Sequence, residues 1–161
     1  MGEKISTAFA QNGEDLDKIR HSFAHILAAA VKKHYPNAQF GIGPTIENGF
    51  YYDFGNIKIS EADLAKIEKT MKEIAKLNLV FKKELWLPAK AIAYYKKEKQ
   101  PYKLDLIKEI TGSNKTKKVG MEWTGDLFLD LCRGGHVKNS NELPLDSFSL
   151  TKIAGAYWRG D

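Results

Sequence analysis

The sequence is short of cysteine and of long apolar runs, and each shortage excludes a class of protein. Its 161 residues include one cysteine, Cys132, so no internal disulfide framework can form. A lone cysteine fits a reducing compartment, where it acts as a thiol or as a metal ligand. No apolar run approaches the roughly 20 residues that cross a bilayer, and the N-terminal residues lack the apolar stretch of a secretory signal. We therefore expect a cytoplasmic protein with no membrane partner.

The charge balance is only mildly basic, with 25 Lys and Arg against 20 Asp and Glu. The basic residues concentrate in three short stretches, KKEL at 82–85, YYKKEKQ at 94–100 and NKTKK at 114–118. Such stretches can follow a polyphosphate backbone, but a solvated lysine-rich surface explains them equally well. The charge therefore permits a nucleic-acid partner without requiring one.

Apolar spacing predicts a fold of mixed helices and strands. Helical periodicity predicts helices over 16–35 and 59–78, the second with a Ser60–Asp63 capping box, and a third opened by Pro88. Strands are predicted within 40–55 around an ENG turn, over 80–87, over 127–132, and in 146–158, where Gly155 interrupts the pattern. A loop is predicted at 112–120. The segment at 102–110 fits either a short helix or a mixed segment. Because helices and strands do not alternate regularly, we expect an α+β fold with a mostly antiparallel sheet packed with helices. Residues 1–15 are expected to form a flexible lead-in and 16–161 a single domain.

Two of the four histidines, His21 and His25, lie one helical turn apart in RHSFAHIL. Residues i and i+4 are neighbours on a helix surface, so both imidazoles are predicted to point the same way. Their face carries Asp17 or Lys18, Ala24, Ala28 and Lys32 instead of the apolar stripe. We therefore expect a polar face with room beside the imidazoles for a ligand.

A second cluster lies at the end of the predicted strand LFLDLC. Period-2 alternation puts Asp130 and Cys132 on the face opposite a row of leucines. Gly134 and Gly135 then permit a tight turn with positive φ, which could return His136 over Cys132. The segment is therefore a second candidate for part of a site.

Together the H-x3-H and C-x3-H patterns leave three chemistries open. They supply a His3Cys set of the kind that holds tetrahedral zinc, formed by His21, His25, Cys132 and His136. The same groups without metal could position a water through imidazole and carboxylate. Alternatively, a cysteine beside a histidine could act as a thiolate nucleophile. The glutamate of HExxH metalloproteases is missing, so that class is disfavoured.

Four stretches in order, HSFAHIL, IGPTIENGFYYDF, CRGGHV and AGAYWRGD, resemble the signatures of the editing domain of threonyl-tRNA synthetases. The resemblance runs from about Ile19 to Asp161. Alanyl-tRNA editing domains share the histidine and cysteine pattern, whereas GFYYDF and GAYWRGD favour the threonyl branch. The resemblance implies hydrolysis of serine wrongly attached to threonine tRNA, with the 3′ end of that charged tRNA as partner. Class II motifs for ATP binding are missing, so the resemblance implies either an excised fragment, whose other partner is the rest of a synthetase, or a freestanding hydrolase. The end directly after a family motif favours the fragment.

Motif by motif, the resemblance implies a site of six residues, His21, His25, Lys103, Asp130, Cys132 and His136. In it Lys103 and His21 would handle the attacking water, and Asp130 would contact the amino or hydroxyl group of the substrate. The other three would shape the pocket against the methyl group of threonine. Replacing His21 or Lys103 by alanine is expected to abolish hydrolysis with little loss of stability.

Two further expectations follow from the resemblance. The threonyl branch works without zinc, so we predict no metal and no other cofactor; if zinc does bind, His21, His25, Cys132 and His136 are the expected ligands. The family reads CRGPH where this chain has Gly135 in place of the proline, so the presentation of His136 is expected to differ or to be less fixed. Two rival functions stay open, a zinc-stabilised nucleic-acid-binding module and a tRNA-end binder that does not hydrolyse.

Overall fold

A computed structural model describes residues 2–9 and 15–156. Its helices are α1 (Leu16–His34), α2 (Glu61–Ala75), α3 (Pro88–Lys97) and α4 (Pro101–Thr111), with a short 3-10 helix at Ser140–Glu142. Its strands are β1 (Gly2–Phe9), β2 (Gln39–Phe40), β3 (Thr45–Ile46), β4 (Gly49–Gly55), β5 (Phe81–Trp86), β6 (Val119–Thr124), β7 (Phe128–Leu131) and β8 (Phe148–Ala156). None of the helices in these ranges has the length and apolar character needed to cross a membrane.

Two antiparallel sheets organise the fold and confirm the predicted α+β class. The larger sheet has the order β2-β4-β1-β8, with β3 paired to β4, and the smaller has the order β5-β6-β7. The α1 helix contacts β4 of the large sheet as well as β6 and β7 of the small one. Because α1 lies between the two sheets, it can place side chains where the sheets meet.

The position of α1 changes one expectation about its histidine face. Ala24 and Ala28 are fully buried, and His25 is only 1% exposed. This face is therefore packed against protein at Ala24, His25 and Ala28, whereas His21 at its N-terminal end is only partly buried. The expected polar character is wrong for the buried positions, because a helix between two sheets is covered on nearly every side, as the continuous buried run from Ser22 to Val31 shows.

Most predicted elements are confirmed. The Ser60–Asp63 capping box is present, with Ser60 N donating to Asp63 Oδ2 at 2.9 Å. The segment at 102–110 is helical, as part of α4, and Gly155 lies within β8 without interrupting it. The predicted loop at 112–120 overlaps a missed strand, β6, which begins at Val119. Residues 157 and 158 of the predicted last strand lie outside the described residues, as do residues 157–161 of the AGAYWRGD stretch.

The predicted flexible lead-in is wrong for residues 2–9. These residues form β1, which pairs with β4 on one side and β8 on the other, and Ile5 is fully buried between them. The other lead-in positions, apart from Asp15, fall outside the described residues. Sequence reasoning missed β1 because both of its partners lie far along the chain and its own pattern is mostly polar.

A truncation inside β1 tests this strand. Ile5→Ala removes a fully buried side chain, so the free energy of unfolding should fall by about 2–5 kcal/mol, measured by urea titration. The matched control is Leu85→Ala. Leu85 also lies in a strand but is 61% exposed, so this change should alter the free energy of unfolding little. Equal stability of Ile5→Ala and the unmodified chain would show that β1 does not contribute to the core.

Candidate active site

A cleft of about 560 Å3 opens beside α1, and its volume is that of a small-molecule pocket. Its lining combines five of the six predicted residues with parts of the segments at 42–45 and 131–134: Asp17, His21, His25, Ile42, Gly43, Pro44, Thr45, Lys103, Asp130, Leu131, Cys132, Arg133 and Gly134. Thr45 Oγ1 donates to Asp17 Oδ1 at 2.6 Å, which joins two walls of the cleft. The sixth predicted residue, His136, is not in the lining and lies behind it.

The three histidines form one cluster with the cysteine. The rings of His21 and His25 are 5.1 Å apart, as expected for one helix face. His136 stacks on His21 at 4.1 Å and meets His25 edge-on at 4.3 Å. Cys132 Sγ lies 3.2 Å from His21 Nε2 and 3.7 Å from His136 Nε2. The two sequence motifs therefore belong to one site.

A left-handed turn brings His136 back over the cysteine, as predicted. Gly134 has φ +102° and Gly135 has φ +92°. Proline is confined to φ near −65°, so the proline of the CRGPH pattern could not adopt this backbone. The chain beyond the turn is held, since Val137 N donates to Ser22 Oγ of α1 at 3.0 Å. Gly135, in place of the proline, thus allows a left-handed backbone path that proline would forbid.

A buried ion pair closes the inner end of the cleft. The Lys103 ammonium is 2% exposed and donates to Asp130 Oδ1, to the carbonyl oxygen of Gly41 at 2.7 Å and to Tyr52 Oη at 3.1 Å. Tyr52 Oη in turn donates to Asp130 Oδ2 at 2.8 Å. An ammonium carries three protons, so every proton of Lys103 has a protein acceptor. Lys103 can contact a water only by exchanging one of these partners.

This pairing overturns one expectation about Lys103. Its replacement by alanine was expected to cost little stability, but it would leave the carboxylate of Asp130 buried without its cation. Breaking a buried pair by removing one partner typically costs about 3–5 kcal/mol. Lys103→Ala is therefore a poor probe of catalysis, and His21, which lies at the cleft surface, is the better one.

Burial sets the protonation states around the ion pair. It lowers the pKa of His21, and it lowers the pKa of His25 well below the ordinary value; the neighbouring His136 lowers both further. Burial also raises the pKa of Tyr52 well above its usual range and that of Cys132 to about 12. Near pH 7 the site therefore presents two neutral imidazoles and a protonated thiol, so the thiolate-nucleophile hypothesis loses its support.

Sequence reasoning missed two groups that touch the predicted residues. Tyr52 lies within the GFYYDF stretch. The sequence feature that could have revealed it is its hydroxyl, on a strand face otherwise formed by the apolar Phe50 and Phe54. Glu122 is 4% exposed, and its Oε1 lies 3.2 Å from His136 Nδ1. No signal pointed to Glu122, because β6 itself was not predicted.

The donor set fits zinc in type and roughly in distance. The four ligand atoms of His21, His25, Cys132 and His136 lie within 4.8 Å of one another. Tetrahedral zinc needs separations of about 3.4–3.6 Å, so a modest closure is required. If zinc binds, these four side chains would hold it, the thiol would lose its proton on binding, and the metal would supply Lewis-acid activation of a water.

Comparison with curated proteins finds relatives that match nearly the whole of this chain. No protein-family model matches it. A threonine--tRNA ligase of Francisella philomiragia is 49% identical over 149 residues, which are 92% of this chain and 22% of that relative. The corresponding enzyme of Aromatoleum aromaticum is 48% identical over 149 residues, with the same coverage, and that of Dinoroseobacter shibae is 44% identical over 151 residues, 93% of this chain and 22% of the relative. The chain thus spans about a fifth of the length of these curated relatives.

Alkylation kinetics test the protonated thiol. With its pKa near 12, Cys132 has about a thousandfold less thiolate at pH 7–8 than a thiol of ordinary pKa 9.0. Its rate of reaction with iodoacetamide, followed by mass spectrometry, should therefore be far lower than that of an ordinary thiol and should rise without a plateau up to pH 10. A plateau near pH 8 would contradict the assignment.

The pH dependence of stability tests the buried imidazoles. Below pH 6.5 the unfolded chain protonates His21 and His25, whereas the folded chain resists because burial lowers both pKa values. The unfolded state then binds more protons, so stability falls as the pH falls, by at most about 1.4 kcal/mol per pH unit for each histidine. Urea titrations at pH 7.0 and 5.5 should show this loss, and His25→Gln should show a smaller one. An equal loss in the variant would place the proton uptake elsewhere.

Proposed function

Since the chain is homologous to one segment of the threonine--tRNA ligases, we propose that it is their editing domain, which hydrolyses serine from wrongly charged threonine tRNA. The single observation that carries the proposal is the cleft in which His21, His25 and Cys132 face the Lys103–Asp130 pair. Neutral imidazoles beside a fixed ion pair suit ester hydrolysis by a positioned water. The rest of the ligase chain and the charged tRNA are the proposed partners.

The need for a second site follows from the size of the substrates. Threonine and serine differ by one methyl group, and one such group in a synthetic pocket is worth only about 1–3 kcal/mol. A separate site that admits serine and has no space for the extra methyl removes the error by a double sieve. In this chain, Cys132 and His25 form part of the wall that would exclude the methyl, supported from behind by His136.

The water is assigned to His21. Its Nε2 is engaged by Cys132, so Nδ1 is the nitrogen left for a water in the cleft. The water gives a proton to this neutral imidazole while its oxygen attacks the seryl carbonyl carbon. The ester bond to the ribose oxygen then breaks, and that oxygen takes a proton back. Lys103 assists only after exchanging one of its three present acceptors for the water.

The substrate is oriented by charge. Asp130 accepts from Lys103 and Tyr52 and retains lone pairs, so it can accept from the amino group or the hydroxyl of the seryl moiety. Arg133 is exposed at the rim of the cleft, where a cation can contact a phosphate of the tRNA end. This contact fixes position and carries no sequence information.

The His3Cys cluster supports a second candidate function, that of a zinc-stabilised nucleic-acid-binding module. In that case elemental analysis of protein purified without added metal finds one zinc per chain, and chelation unfolds it. The editing proposal expects neither. A tRNA-end binder that does not hydrolyse is the third candidate, favoured by the altered turn at Gly135.

Deacylation assays discriminate among the three. The chain should release serine from seryl-charged threonine tRNA faster than threonine from the threonyl-charged form, by roughly 10- to 200-fold. His21→Ala should slow serine release by roughly 10²–10⁴-fold, because it removes the proton acceptor. The matched control is His34→Ala, which removes a histidine outside the cleft that bonds to Thr70, and it should leave the rate unchanged. Binding without release of serine, or release without a preference, would refute the proposal.

A further inference from the structure

Glu122 is a buried carboxylate that the proposed hydrolysis does not use. It is 4% exposed, and Oε1 lies 3.2 Å from Nδ1 of His136, whose side chain is 1% exposed. Its other oxygen, Oε2, has no hydrogen-bond partner among the described residues. A buried carboxylate is costly unless it is paired, so the contact with His136 calls for a reason.

The neighbours of Glu122 in the sheet sharpen the question. Across the small sheet it pairs with Asp130 of β7 and with Lys83 of β5. Directly opposed like charges destabilise a sheet. Lys83 does not neutralise Glu122, since its Nζ donates instead to the carbonyl oxygen of Arg133 at 2.6 Å. Asp130 is neutralised by Lys103. Glu122 is left with His136 alone among these groups.

Stacking against neighbouring rings fixes the plane of the His136 imidazole but does not determine which of its two nitrogens carries the proton. The ring lies parallel to Phe81 at 5.7 Å and stacks on His21. A carboxylate only accepts hydrogen bonds, so Glu122 favours the tautomer with a proton on Nδ1. Nδ1 and Oε1 are close but not yet aligned as a hydrogen bond, a common condition of catalytic contacts before substrate binds.

From this arrangement we infer that Glu122 is a positioning residue, which acts through His136 and Cys132 to leave His21 with an unprotonated Nδ1 facing the cleft. With its proton on Nδ1, His136 offers Nε2 as an acceptor to the Cys132 thiol, 3.7 Å away. The thiol has a single proton, so His21 Nε2, at 3.2 Å from the same sulfur, becomes the donor. A neutral imidazole protonated on Nε2 has its lone pair on Nδ1.

The assignment of a proton-accepting His21 rests on the proposed function, but the tautomers can be read on the protein alone. Ring ¹⁵N NMR of metal-free protein near pH 7.5 should show His136 protonated on Nδ1 and His21 on Nε2. Glu122→Met keeps the length of the side chain but removes the acceptor, so it should shift both rings toward the opposite tautomers. Glu122→Gln retains an acceptor oxygen and should preserve the native pattern.

Kinetics on seryl-charged threonine tRNA provide the second readout. Glu122→Met should lower kcat by roughly 10- to 100-fold, the range for carboxylates that orient functional histidines, with KM within about twofold. Glu122→Gln should recover most of this loss. The control Asp126→Leu removes an exposed acid from the turn of the same hairpin and should change neither kcat nor the tautomers.

The two readouts separate the possible failures. Unchanged tautomers and kcat in Glu122→Met, or a native His136 protonated on Nε2, would overturn the role of Glu122 while leaving the editing proposal standing. Native tautomers that change in Glu122→Met, in a chain that releases no serine, would support the positioning role and reject editing.

Discussion

The buried ion pair between Lys103 and Asp130 is the interaction on which the site depends. It joins α4 to β7, and the additional bonds to Tyr52 and Gly41 tie in β4 and the segment after β2. These elements come from both sheets and from opposite halves of the sequence, so the pair fixes the inner end of the cleft. Replacement of such a pair by well-packed apolar groups is often neutral or stabilising. Its presence here therefore points to a function at this position rather than to a need for stability.

Beside this fixed pair lie neutral groups. Burial keeps the imidazoles of His21 and His25 and the thiol of Cys132 in their neutral forms. The cleft thus offers proton acceptors and weak donors beside the carboxylate of Asp130, whose charge is already compensated. Such a site can take up a proton from water and bind an amino group without a strong nucleophile of its own. This division suits ester hydrolysis better than covalent catalysis.

Local patterns predicted the parts of the site that each lie within one element. Helical spacing placed His21 and His25 together, and strand alternation put Asp130 beside Cys132 on the face opposite the leucines. Groups that depend on pairing between distant segments were missed. The strand β1 is ordered by β4 and β8, and Glu122 acquires its meaning only when β6 lies next to β7. The position of Lys103 came from family resemblance alone, because nothing in the local sequence reveals that its ammonium is buried.

A crystal structure with a non-hydrolysable amide analogue of seryl-adenosine tests the central claim most directly. We predict that the seryl group occupies the cleft beside α1, with its amino group or hydroxyl on Asp130 and its carbonyl carbon within reach of a water on His21. The threonyl analogue should leave the same cleft without density. Density for the seryl analogue elsewhere on the protein, or a zinc ion held by the histidines and Cys132, would contradict the account.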